Sequence, residues 1–86
     1  MARKDASNFT FEIKEHIAIL STSKTGWNRE VNIVSWNGGA PKWDIRDWSP
    51  DHSKMGKGIS FTGEEFKILQ ATLEAYDDPY IVEGQA

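Results

Sequence analysis

From Phe9 onward apolar side chains recur at every second position, Phe9, Phe11 and Ile13 and then Ile17 and Ile19, which predicts a long β-strand reaching about Leu20. Parity breaks at Glu15, and Ala18 and Leu20 put apolar groups on the other side, so a bulge or bend is expected within it. Ser21 to Gly26 has turn composition, and a second strand is predicted from Trp27 to Trp36. After Asn37-Gly38-Gly39-Ala40, Lys42, Asp44, Arg46 and Trp48 alternate with Trp43 and Ile45, the mark of a third strand with one polar and one apolar face. Ser49-Pro50-Asp51-His52-Ser53 is a turn, and Met55 to Phe61 returns as a fourth strand.

The period then changes. Thr62-Gly63-Glu64-Glu65 is a capping box, with Thr62 as cap and Glu65 reaching back, and it opens a helix. Phe66, Leu69, Leu73 and Tyr76 form one apolar stripe, expected to lie on the sheet. Ile68, Ala71 and Ala75 form a second line, which a helix on one sheet does not need; the same helix of a partner subunit is its most economical cover. Asp77-Asp78-Pro79 ends the helix. The pattern is α+β, four strands followed by one C-terminal helix, with boundaries of 1–8 for a disordered start, 9–76 for the domain and 77–86 for an acidic tail.

Register follows from the second turn. Gly38-Gly39 as a two-residue hairpin turn sets Ile33 opposite Asp44, Val31 opposite Arg46 and Arg29 opposite Trp48 on one face. Val34 then faces Trp43 on the other, which is the better core. A longer turn changes this pairing.

At 86 residues the chain is one domain with little core, and without cysteine its extra support is expected from association rather than disulfides. No apolar run approaches the ~20 residues of a membrane span and the start carries no signal-peptide pattern, so a cytoplasmic protein is expected. The net charge of −3 argues against a nucleic-acid partner until its distribution is read. Lys24 to Lys57 holds six cations against four anions, and Gly58 to Ala86 one cation against six anions, so the sheet is mildly basic and the helix and tail acidic.

Catalytic readings fail. Asp51-His52-Ser53 has triad residue types, but neighbours in a turn do not make triad geometry. Two histidines without cysteine give no metal-ligand spacing, and Gly56-Lys57-Gly58 lacks the first glycine and the Ser/Thr of a phosphate loop. Neither an enzyme, a metal nor a cofactor is expected. The face carrying Lys42, Arg46 and Trp48 offers cations beside an indole, the chemistry of a single-stranded nucleic-acid platform. Arg46 paired internally with Asp44 or Asp47 is the competing reading, and Trp27, Trp36 and Trp43 suit core or hairpin packing.

Asp44-Ile45-Arg46-Asp47-Trp48, followed ten residues on by Gly56-Lys57-Gly58-Ile59-Ser60 and a capped helix, resembles the positive cofactor four family of single-stranded-DNA-binding transcriptional coactivators. Trp48 to Ile59 is similar to its bacterial YdbC-like branch in particular. The resemblance covers roughly Phe11 to Tyr76. It implies a curved antiparallel sheet with a C-terminal helix, paired into a homodimer, and places Arg46, Trp48 and Lys57 in a single-strand groove. Trp48 stands one position from the family tryptophan, and the loop after it is shorter. Arg29 and Lys42 join these three from the register. The resulting expectation is a non-enzymatic, homodimeric binder of single-stranded DNA or RNA, little dependent on sequence, acting in transcription, replication or repair, near the nucleoid and with partner proteins of those processes. Its rival is a protein-interaction module docking through Trp48 and the helix.

Overall fold

The computed structural model describes residues 9–77; the expected disordered start and all but the first residue of the acidic tail lie outside them. Four strands, β1 (Phe11–Thr22), β2 (Asn28–Trp36), β3 (Lys42–Trp48) and β4 (Met55–Phe61), form one antiparallel sheet in chain order, followed by helix α1 (Gly63–Ala75).

The expected bulge in β1 is present, and it is one of three. The β1–β2 register shifts between Ile13 and Glu15, between His16 and Ala18, and between Ile19 and Ser21. Each shift inserts a residue into β1 opposite an unbroken β2, and inserted residues bend and twist a strand. Phe11 pairs with Trp36 at one end of β2, while Trp48 pairs with Asn28 at the other, yet their rings are 5.1 Å apart. Eight residues of flat strand span roughly 26 Å. Only a sheet coiled strongly toward this side brings the two rings together, which makes it the concave face.

The hairpin register differs by one residue from the sequence-based expectation. Asn37 and Gly38, at φ of 53° and 73°, are the two left-handed residues of the turn, closed by the Gly39 amide donating to the Trp36 carbonyl at 2.8 Å. Asn-Gly suits this left-handed pair, which side chains with a branched Cβ resist. One further residue is then taken up before Lys42, so Val34 pairs with Lys42, Ile33 with Trp43, Asn32 with Asp44, Glu30 with Arg46 and Arg29 with Asp47. A one-residue slip in pairing turns each side chain of one strand to the other face of its neighbour. Glu30, Asn32 and Val34 therefore share the concave face with Asp44, Arg46 and Trp48, and Val31 and Ile33 share the convex one with Trp43 and Ile45.

Helix α1 lies over the convex face. Thr62 Oγ1 accepts from the Glu65 amide at 3.1 Å and Glu65 Oε1 from the Thr62 amide at 2.9 Å, the reciprocal cap expected from the sequence. Phe66 stacks on Trp43 with ring centres 4.3 Å apart and meets Phe61 edge-on at 5.3 Å. The helix buries none of its residues. Beyond Leu69 it leaves the sheet: Leu73 and Tyr76, expected on the sheet, are exposed together with Ile68 on the helix and Ile59 on β4. This apolar surface is wider than the second helix line alone.

Candidate nucleic-acid interface

The concave face is lined with polar groups that satisfy one another. Asp44, fully buried, accepts from Arg46 Nε at 2.7 Å and Nη2 at 2.9 Å, and from the Ser60 hydroxyl at 2.8 Å. The Arg46 side chain is itself only 16% exposed, and Nη1 reaches the Gly56 carbonyl at 3.4 Å. Its guanidinium carbon sits 4.7 Å from the centre of the Trp36 ring, within cation–π range. Trp36 is fixed from behind by its indole N–H, which donates to Ser60 Oγ at 3.0 Å. Arginine, tryptophan, aspartate and serine thus form one closed unit across β2, β3 and β4. The internal pairing of Arg46 with Asp44, the competing reading from sequence, is present.

Beside this unit Phe9 stands 5.9 Å from Trp36 and Phe11 6.1 Å from it, and Phe9 is 52% exposed. Lys42 is exposed at the start of β3, on the same face through its pairing with Val34. The surface available at this end of the sheet is aromatic with cations at its margin.

Trp48 does not belong to that surface. It is 0% exposed, packed against Phe11 and His52, and its Nε1 has no hydrogen-bond partner among the described residues. The expected alternation put it beside Arg46, which is right, but the coil of the sheet closes over that end of the face. An exposed indole platform at Trp48, and with it the docking surface expected there, is corrected to a buried core residue.

The register expected for Arg29 is corrected too. Its register partner is Asp47 rather than Trp48, it lies on the convex face, and Nε donates to Asp47 Oδ1 at 2.9 Å. With Asp47 it walls a cleft of about 330 Å³ whose other sides are Ser21, Thr22, Ser23, Thr25 and Trp27. Lys57 is exposed in a bulge of β4, where Gly56 and Lys57 together face Asp47. Gly58 is required on steric grounds, since its position opposite Arg46 leaves no room for a Cβ, which would overlap the Arg46 Cβ and backbone. Of the five residues expected to bind nucleic acid, Lys42 and Arg46 meet on one face, Lys57 lies at the neighbouring edge, and Trp48 and Arg29 lie elsewhere.

Trp36, Phe9 and Phe11 went unrecognised as surface. Asn37-Gly38 is the turn pair legible in the sequence, but by itself it still sets Arg46 opposite Arg29; the residue taken up before Lys42 is what moves Trp36 onto the face of Arg46.

The two histidines converge on one carboxylate. Glu30 is buried in the concave face, His52 Nε2 lies 3.0 Å from both its oxygens, Asn32 Nδ2 donates to it at 3.0 Å, and His16 Nδ1 is 3.5 Å away. Burial pushes the Glu30 carboxyl up, but hydrogen bonds from Asn32 and His52 and the charge of the two imidazoles outweigh it and hold the group below the ordinary glutamate range. In the neighbouring loop the Ser53 amide and hydroxyl and the Ser49 hydroxyl hold the exposed Asp51 carboxyl down at about 2. These contacts pin the turn that presents His52, whose φ is 61°.

Among the described residues no group of three His, Cys, Asp or Glu side chains has the arrangement to hold a metal ion, and no helix is long and apolar enough to cross a membrane.

The chain is 46% identical over 74 residues to an uncharacterised protein of Treponema pallidum (strain Nichols), an alignment covering 85% of this chain and 87% of the relative. The PC4 family, transcriptional coactivator p15, matches residues 23–72, which run from the first turn through all of β2, β3 and β4 into α1. Because that match spans more than half of the chain and takes in both the Arg46 unit and the capped helix, the chain belongs to the PC4 family.

Proposed function

We propose that this protein is a non-enzymatic, homodimeric binder of single-stranded DNA, little dependent on base sequence, serving transcription regulation, replication or repair in the cytoplasm at the nucleoid. The observation that carries the reading is the Arg46 guanidinium seated on Trp36 beside the exposed ring of Phe9. Bases of any identity stack on aromatic faces, and cations at the margin follow the phosphates. Arg46, already held by Asp44, is a preorganised part of the platform, while Lys42 and Lys57 supply exposed charge. Membership of the PC4 family supports the same ligand.

The dimer is supported by the uncovered apolar surface of Ile59, Ile68, Leu73 and Tyr76. A second copy of the chain presents the same surface in return, which suits a two-fold contact. The protein-docking alternative loses its Trp48 half to burial and keeps only this helix surface.

Replacing Trp36 by alanine tests the platform. Losing one stacked base is expected to weaken oligo-dT binding by about 1–3 kcal/mol with little change in its salt dependence. A folded Trp36→Ala protein that binds oligo-dT as tightly as the parent contradicts the assignment. The same titration with oligo-U separates a DNA from an RNA preference.

A further inference from the structure

We propose that strand binding on the concave face is coupled to proton uptake by His16 and His52, so that the protein binds more tightly as pH falls through the imidazole range. The inference rests on the nucleic-acid reading above and concerns the regulation of that same face.

The hydrogen bonds define where the protons sit. An ionised Glu30 only accepts, so the Asn32 amide must turn its Nδ2 toward it and its Oδ1 toward His16. His16 Nδ1, 2.7 Å from that Oδ1, is then the protonated nitrogen, and His52 Nε2, 3.0 Å from Glu30, is the protonated nitrogen of the second ring. The remaining nitrogens, Nε2 of His16 and Nδ1 of His52, have no partner among the described residues and are free to take a proton from solvent. Both rings are accessible, with side-chain exposures of 49% and 38%.

The charges on this face make that step matter. β2 contributes Glu30, and β3 contributes Asp44 and Arg46 with Lys42 at the margin. From β4, Gly58 and Ser60 pair with Arg46 and Asp44 and carry no charge. On β1, Glu12 and Glu15 pair with Ser35 and Ile33 and so belong to the convex face, while Lys14 bonds Glu12 at 3.3 Å. In the turn before β4, Asp51 is engaged by Ser49 and Ser53, and Lys54 is exposed.

Arg46 lies opposite Glu30 in register, but its guanidinium is turned to Asp44. With both imidazoles neutral, the buried carboxylates outnumber the one buried guanidinium and the floor of the face is negative. With both protonated it is positive. A phosphate backbone laid on the face favours the second state, and by linkage its binding draws protons in.

The test is calorimetric titration of the full chain with oligo-dT, whose bases do not titrate in this range, at constant ionic strength in two buffers of different ionisation enthalpy. Between about pH 8 and pH 5.5 the affinity is expected to rise roughly tenfold, with net uptake of protons on binding. His16→Gln and His52→Asn should each reduce the uptake, asparagine being tolerated at the left-handed φ of residue 52. The parent protein alone decides the matter if either variant fails to fold. Binding with no proton exchange and no pH dependence overturns the coupling and leaves the DNA reading intact; absence of binding at every pH overturns both.

Discussion

Trp48→Ala is expected to lower the stability of the protein by about 3–5 kcal/mol, the cost of emptying a large aromatic site in a core that cannot collapse around it. Trp48 is one of only three buried apolar side chains among the described residues, with Val31 and Val34, so little else on the concave side compensates. Trp48→Phe should cost clearly less, since it keeps the contacts with Phe11 and His52 and removes an indole N–H that has no partner among the described residues. Urea unfolding at fixed protein concentration measures both, the concentration being held because association contributes to the stability of a dimer. A Trp48→Ala protein with the parent's midpoint but weakened oligo-dT binding would return Trp48 to the binding surface.

Arg46→Ala is expected to act twice. Asp44 is fully buried and Arg46 is its only cationic partner among the described residues, so removing the guanidinium leaves a buried carboxylate with the Ser60 hydroxyl alone. Breaking such a pair from one side costs about 3–5 kcal/mol. Trp36 also loses the cation that lies on its ring, so oligo-dT affinity falls in whatever fraction remains folded. The double change Arg46→Gln with Asp44→Asn should recover much of the stability and little of the affinity, because it removes the unpaired charge without restoring the cation. Full stability in Arg46→Ala alone would mean that Asp44 is solvated, in conflict with its burial.

These two residues show what the sequence makes legible and what it does not. The four strands and the helix follow from the shift of apolar period from two to a helical stripe, and the capping box at Thr62 is formed as its spacing requires. Alternation correctly puts Arg46 and Trp48 on one side of β3. It fails at deciding which side is covered, because apolar content is the usual guide and here the covered side holds Glu30, Asn32 and Asp44, each satisfied by its neighbours. Burial of those groups comes from the three bulges in β1 together; the parity break at Glu15 signals a bulge in this strand, but how far three of them coil the sheet is a property of long-range pairing. The register error has a narrower cause: Gly38-Gly39 and Asn37-Gly38 are both plausible turn pairs by composition, and the extra residue before Lys42 has no sequence signature. That single residue separates Arg29 from Arg46 and brings Trp36 to the site. Leu73 and Tyr76 continue the helical stripe faithfully, but the sheet ends before they do.

Single-strand binding on this sheet is decided by titration of the parent protein with oligo-dT across a salt series, following tryptophan fluorescence. Stacking on Trp36 should change the emission on binding, and each phosphate neutralised by a cation should contribute about −0.7 to the slope of log K against log salt, giving roughly −3 for four such contacts. No binding, or binding whose strength is indifferent to salt, would contradict the claim that this acidic protein holds single strands on its sheet.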